Sequence, residues 1–432
     1  MKLHAWGNYP EVDALIYYYR GQTDLSPMLN TRAPFIAFGN GRSYGDSALS
    51  EKVLRMTQHN RMLSFDNELG KLTCESGLLL SDIIKVFLPR GWFLQVTPGT
   101  KLITVGGAIA ADIHGKNHHQ LGCFSSCVES FKLVLPDDRI VSCSEKENTD
   151  LFRATCGGMG LTGIIIEATL FLKKVQSSKI SQTTIKNADL EQTFEAFEKY
   201  KNSPYSVAWI DCLAKGKSMG RSLLMCGEFL TDGHLDYREK KSMNVPRFFP
   251  AFLLNALTVR VFNFVYYNKV VNRITTKDVS VDSFFYPLDA IKNWNRVYGK
   301  NGFVQYQFIL PKDNSFEGLR EILHIIAESG KGSFLAVLKL YGEENENYLS
   351  FPIEGYSLAL DFKIENGLFE LLNELDILVL KYSGRIYLAK DARVSKEVFE
   401  KGYPKITVFR DLRDRFGMKN IFSSRQSERL GL

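Results

Sequence analysis

Three glycine-rich blocks hold most of the residues with chemistry to offer. The first, FGNGRSYGDSAL from Phe38 to Leu49, puts Gly39, Asn40, Gly41, Arg42, Ser43, Tyr44 and Gly45 directly after an apolar strand. Successive backbone N–H groups in such a turn can converge on phosphate oxygens, and glycine permits both the dihedrals and the close approach. The spacing fits neither G-x-G-x-x-G nor G-x-x-x-x-G-K-[ST], so taken alone this block reads as an ordinary loop. The second block, QVTPGTKLITVGGAIAADIHGKNHH from Gln95 to His119, changes that reading. Its small residues Gly106, Gly107, Ala108, Ala110 and Ala111 would let a planar or phosphorylated ligand lie against the backbone. A polar run follows, with Asp112, His114, Lys116, Asn117, His118 and His119. The third block, FRATCGGMGLTGIIIEATL from Phe152 to Leu170, again places a glycine turn before an apolar strand.

His114 and His118 sit four residues apart, with Cys123 and Cys127 downstream. This matches no common zinc pattern, and Gly115 inside the run works against a regular helix. No metal is expected. His114 and Lys116 read as polar groups at the reactive end of a ligand, and His118 and His119 as surface or internally satisfied histidines.

The three blocks, together with YSVAWIDCLAKGKSMGRS, FFYPLDAIKNWNRVYGKNGFVQYQFILP, FLAVLKLYG, LSFPIEGY and GRIYLAKDAR, resemble the vanillyl-alcohol-oxidase-type (PCMH-type) FAD-binding flavoproteins. Within them the decaprenylphosphoryl-ribose 2-oxidase branch is the nearer match, over almost the whole chain. The resemblance implies an α+β, two-domain fold with FAD stretched through the amino-terminal domain. The pyrophosphate would meet the Gly39 to Gly45 turn, and Thr100, Thr104, Gly107, Ala110, Gly115 and Asn117 would line the rest. Members that attach the flavin covalently often use a histidine in the first loop, where this chain has Arg42, so dissociable FAD is expected. Lys390 and Tyr387 would lie beside flavin and substrate, with His114 and Lys116 approaching from the other domain as further catalytic groups. Trp209, Gln305, Gln307 and Lys339 would surround sugar and phosphate, because glutamines read several hydroxyls and a lysine meets phosphate as a point charge.

The implied reaction is oxidation of the C2 hydroxyl of a polyprenyl-phosphate-linked pentose to a ketone, completed by a separate short-chain-dehydrogenase-like ketoreductase. A soluble sugar-alcohol or aldonolactone oxidase of the same fold is the alternative, and a catalytically silent carrier-binding protein the third reading. Two departures bear on the sugar pocket. The branch's active-site cysteine falls at Ala359, and an expected aromatic hydroxyl at Phe285, beside Tyr286.

These residues need particular elements to position them. The first 170 or so residues read as short strands broken by glycine, including Phe35 to Phe38, Val105 to Ala111, Phe131 to Leu135 and Ile164 to Leu172, with an amphipathic helix from Leu78 to Leu88. Later come helices over Asp189 to Tyr200 and Phe316 to Ser329. Strands are expected in YSVAWIDCLA, GFVQYQFIL, GSFLAVLKLYG and YSLALDF, which mix β-branched, aromatic and alternating residues. The domain change is placed near residue 178. Residues 1–178, completed by 385–432, would form the FAD domain, and 179–384 a substrate domain on an antiparallel sheet with helices.

From Asn244 to Ile274 the chain is crowded with apolar residues yet carries Arg247, Arg260, Lys269 and Arg273. It reads as a buried helix pair or as an interfacial segment resting on anionic lipid. With 432 residues, the chain exceeds a single compact core. A net charge of +6 is too weak to argue nucleic acid, and suits an anionic substrate or a membrane surface. Seven cysteines without a C-x-x-C pair fit a reducing compartment. The amino terminus lacks the apolar core of a secretory signal, so a cytoplasmic location is expected, with peripheral contact at the membrane's inner face.

Overall fold

The computed structural model describes residues 1–239, 242–245 and 254–432. Alternation of side chains along strands organises its largest sheet. Eight antiparallel strands run in the order Ile274–Ser280, Lys179–Asn187, Ser222–Phe229, Tyr205–Ile210, Ala336–Tyr341, Gly355–Lys363, Phe303–Pro311 and Arg385–Ile386. Leu338, Leu358 and Phe308 stand in cross-strand register, as do Leu360 and Tyr306. Because successive residues alternate faces, all five point to one side. The helices Leu190–Lys199, Lys312–Ser329 and Leu368–Lys381 cover that side. Leu319, Ile322, Leu323 and Ile326 make the inner stripe of the middle helix at helical spacing, each such side chain contributing about 2 kcal/mol by leaving water. The opposite side carries Trp209, Lys339, Ser357, Ala359, Asp361, Gln305 and Gln307 in register. One face of the sheet is therefore core, and the other gathers polar and ionisable side chains.

The amino-terminal part contributes two more sheets. A six-stranded antiparallel sheet is centred on Ile164–Lys174, which lies between Val128–Val134 and Lys71–Glu75 and also pairs, near its carboxyl end, with Trp92–Leu94. A three-stranded parallel sheet joins Leu15–Tyr18, Lys52–Arg55 and Ile36–Phe38.

Val105 to Ala111, expected as a strand, is instead the helix Val105–Ala110. Thr104 is the cause, since its Oγ1 accepts from the Gly107 N–H at 3.1 Å and caps a run too poor in side chains to fill a strand face. Among the described residues of the Asn244 to Ile274 segment there is one helix, and it is not buried on all sides. This helix, Ala256–Asn268, leaves Leu257, Phe264 and Val265 exposed, while 246–253, with Arg247, lie outside the described residues. Among the described residues no helix is long and apolar enough to cross a membrane.

The carboxyl-terminal tail returns to the first glycine block. Phe35 bridges to Phe422, and Arg429 reaches Asp46 at 2.7 Å and Asp391 at 2.8 Å, with both carboxylates buried. This clasp fixes the segment that carries Lys390 against the Gly39 to Gly45 loop.

Candidate active site

Glycine at two positions of the first loop allows close approach, to backbone at Gly45 and to the Thr104 side chain at Gly39. A Cβ on Gly45 would stand 1.5 Å from the Asp391 carbonyl oxygen, and one on Gly39 would stand 2.6 Å from Thr104 Oγ1. Gly41 has φ +61°, where side chains are strained. Asn40 Nδ2 donates to the Leu102 carbonyl at 2.8 Å, and the Tyr44 N–H to the Ala389 carbonyl at 3.1 Å. Ser43 accepts through its carbonyl from the Trp6 N–H at 2.9 Å. The loop is thus held between the Thr104-capped helix, which carries Gly107 and Ala110, and the tail. Thr100 Oγ1 and the Lys101 N–H both donate to Asp289, at 2.7 and 2.9 Å. The Arg42 guanidinium lies 4.0 Å over the Trp6 ring, and burial lowers its pKa.

The polar run of the second block meets the open face of the large sheet. Gln307 Nε2 donates to His114 Nε2 at 3.2 Å, and the histidine is walled by Tyr341, Phe351 and Tyr387 with ring centroids 5.0–5.6 Å away. Burial first, then the positive charges of Lys339, His118 and Lys390, hold His114 far below the ordinary histidine range, so it is neutral. Tyr387 donates to the Ala111 carbonyl at 3.0 Å. Gly115 has no room for a side chain, as a Cβ would meet Asn117 Oδ1 at 2.6 Å and the Thr97 carbonyl at 2.7 Å. Asn117 Nδ2 donates to the Gln95 carbonyl at 2.8 Å.

Three lysines face this region. Lys390 Nζ sits 3.8 Å over the Tyr44 ring, and burial lowers its pKa to about 7 against the opposing pull of Asp361. Lys116 donates to the Phe284 carbonyl, lies 4.4 Å over the Phe284 ring, and is lowered to about 7 by burial and by Lys339. Lys339 is lowered to about 8 by burial. None of the three has an ion-pair partner within 4.0 Å among the described residues. Asp361 is the buried counterweight of Lys390. It accepts from Gln305 Nε2 at 2.5 Å and from the Tyr298 hydroxyl at 3.4 Å, and burial raises its carboxyl to about 7.

The structure therefore gathers the glycine loop, the 100–117 block, the 387–391 segment and the sheet residues Gln305, Gln307 and Lys339 around one region. Trp209 shares the sheet face, but its indole N–H donates to the Phe334 carbonyl at 3.1 Å and its ring packs 4.8 Å from Tyr266, so that donor is already engaged. His118 and His119 serve internal contacts: the Gly342 N–H donates to His118 Nδ1 at 3.2 Å, and His119 Nε2 faces the Ser203 carbonyl at 2.9 Å. Sequence reasoning missed Asp361, Tyr298, Ser357 and Asp289. For Asp361 a signal existed, as a lone acid in the apolar strand YSLALDF on the same alternation as Ser357 and Ala359. Four buried polar atoms here find no hydrogen-bond partner among the described residues: Arg42 Nε, Ser76 Oγ, His114 Nδ1 and Asn117 Oδ1. Buried polar groups are rarely left so, and clustered ones point to a polar ligand.

Residues 26–144 match the family described as FAD binding domain. The chain is 36% identical to the decaprenylphosphoryl-beta-D-ribose oxidase of Mycolicibacterium smegmatis over 411 residues, 92% of this chain and 89% of that protein. It is 29% identical over 370 residues to an uncharacterized protein of Streptomyces coelicolor, 82% of this chain and the whole of that one. Similarity to the L-gulonolactone oxidase of Mus musculus, at 32%, is confined to 135 residues, 31% of this chain and 30% of that enzyme.

Proposed function

The chain belongs to the decaprenylphosphoryl-beta-D-ribose oxidase family of FAD-dependent oxidoreductases, and from that premise we propose that it oxidises the C2 hydroxyl of a polyprenyl-phosphate-linked pentose to a ketone. The observation that carries the reading is the pair Lys116 and Lys339, largely desolvated without carboxylate ion pairs among the described residues. Burying cations costs free energy unless an anion joins them. A substrate that brings its own phosphate supplies that anion, and amide side chains such as Gln307 suit the sugar hydroxyls.

The residues present fit the flavin. The Gly39 to Gly45 loop offers backbone N–H groups without side-chain obstruction, suited to pyrophosphate, whereas the first-turn N–H groups of the Val105–Ala110 helix are engaged by the Leu78 and Ser76 carbonyls and the Thr104 hydroxyl. The unpartnered Arg42 Nε and Asn117 Oδ1 can meet polar groups of the same ligand. Arg42 forms no covalent flavin bond, so the FAD is dissociable. Bound FAD would supply the two-electron acceptor for the hydride leaving the carbinol carbon.

Lys390 takes the hydroxyl proton. Its pKa near 7 leaves a neutral amine available at physiological pH. Once protonated, it becomes a cation where negative charge accumulates, and it is stabilised there by Asp361. Gln305 holds Asp361 in place, and Gln307 fixes the His114 ring at the edge of the pocket. The ketone product calls for a reductase to complete the inversion of C2, which makes a nicotinamide-dependent, short-chain-dehydrogenase-like ketoreductase the partner. The lipid carrier brings the protein into peripheral contact with the cytoplasmic face of a membrane.

The match to L-gulonolactone oxidase covers only 31% of this chain and 30% of that enzyme and does not favour a lactone substrate. Comparing kcat/KM for a polyprenyl-phosphoryl pentose with that for free pentitols and aldonolactones tests the proposal. A preference of at least about a thousandfold for the phosphorylated lipid is expected, from one or two charge-assisted contacts and the carrier. Equal turnover of a free polyol contradicts it.

A further inference from the structure

The helix Ala256–Asn268 turns an apolar stripe outward. Leu257, Val261, Phe264 and Val265 recur at i, i+4, i+7 and i+8, and so share one face. They are 70%, 56%, 59% and 60% exposed. The opposite side is anchored: Val259 is buried, Asn263 Nδ2 donates to Asp211 Oδ1 at 2.6 Å, and the Tyr266 ring packs against Trp209. A capping box of Asn255 and Thr258 starts the helix. The stripe is therefore a fixed surface of a formed helix.

Charge identifies what covers it. From Leu254 to Lys277 the chain has four basic residues, Arg260, Lys269, Arg273 and Lys277, and no acid. This single segment carries +4 in a protein whose net charge is +6. Arg260 borders the stripe on the same helix and lines a groove of about 430 Å³ beside Val261 and Phe264, and Lys269 caps the helix's carboxyl end with its ammonium over the Tyr266 ring. An apolar stripe edged by cations fits a bilayer of anionic lipid, with the helix lying in the interfacial plane. A second copy of this chain would set like charges against each other across the contact.

We infer that the outward face of the Ala256–Asn268 helix docks this protein on anionic phospholipid membrane. Through Tyr266 and Trp209 the docked helix packs on the sheet face that bears Lys339 and Asp361, so a lipid-borne sugar would meet that face beside the bilayer. As a substrate route the inference rests on the lipid-linked reading above. As a docking surface it is tested separately.

The test is co-sedimentation of the FAD-loaded protein with vesicles of equal parts phosphatidylglycerol and phosphatidylcholine, and with phosphatidylcholine alone. Wild type should bind the anionic vesicles and lose binding at high salt. L257E/V261E/V265E should weaken partitioning about a hundredfold or more by removing the buried apolar face. R260E/K269E/R273E should weaken it at least about a hundredfold, from roughly fivefold for each basic residue removed. Both variants should keep wild-type FAD content and wild-type turnover of a short-chain, water-soluble polyprenyl-phosphoryl pentose, which shows that they fold. Wild-type binding by either variant overturns the inference, as does absence of vesicle binding by wild type. A dimer in solution that the glutamate variants dissociate also overturns it. Vesicle binding by a wild type that cannot oxidise the short-chain substrate would refute the substrate reading and leave the docking surface standing.

Discussion

Replacing Lys390 by methionine should slow flavin reduction by substrate about a thousandfold while the flavin stays bound. A general base contributes roughly a hundredfold to ten-thousandfold, and a thousandfold loss corresponds to about 4 kcal/mol of transition-state stabilisation. The pH dependence follows from the position of the amine. With Lys390 lowered to about 7, about one amine in eleven is neutral at pH 6 and about ten in eleven at pH 8. The wild-type rate should therefore rise about tenfold between those values.

Asp361 opposes the lowering of Lys390, so D361N should move the limb to lower pH, with the curve belonging to the pair and not to either group alone. Anaerobic stopped-flow reduction across pH, with flavin content measured for each variant, reads all of this. A wild-type rate that falls with rising pH through neutrality would refute the base role, and so would a D361N limb displaced upward. K390M with wild-type reduction kinetics would remove Lys390 from the chemistry altogether.

Acid precipitation should release all of the flavin into the supernatant, whereas flavin retained in the pellet would overturn the non-covalent assignment. All seven native cysteines are buried, so the folded protein should resist thiol alkylation, while A359C, placed between Gln307 and Val337 on the sheet face, should take up one equivalent and lose activity, as mass spectrometry and assay would show. R429M leaves the buried carboxylates of Asp46 and Asp391 uncompensated. It should cost about 3–5 kcal/mol in urea or thermal unfolding, and an unchanged midpoint would mean that the tail clasp contributes nothing.

Much of the large sheet was legible because alternation is a local signal. YSLALDF reads as a strand and is part of Gly355–Lys363, and Asp189 marks the start of Leu190–Lys199 through its side-chain cap on Gln192 N–H. The glycine blocks were legible for a related reason, since close backbone approach at Gly45 admits no substitute. What escaped depends on distant pairing. Nothing near His114 announces Gln307, which is 193 residues away. Asp361 acquires its role only when Phe303–Pro311 pairs with Gly355–Lys363 and sets Gln305 opposite it. The Val105–Ala110 helix was misread because apolar content alone does not separate a short buried strand from a short capped helix, and there the Thr104 hydroxyl decides.

The central claim, a dissociable flavin reduced by a lipid-phosphate-linked pentose, is tested most directly by the visible spectrum of the purified protein under anaerobic conditions, before and after that substrate is added. Flavin bands that bleach on addition are predicted. Bands that persist with the lipid-linked sugar but bleach with a free polyol would contradict the substrate assignment, and a colourless protein that cannot be reconstituted with FAD would contradict the enzymatic account.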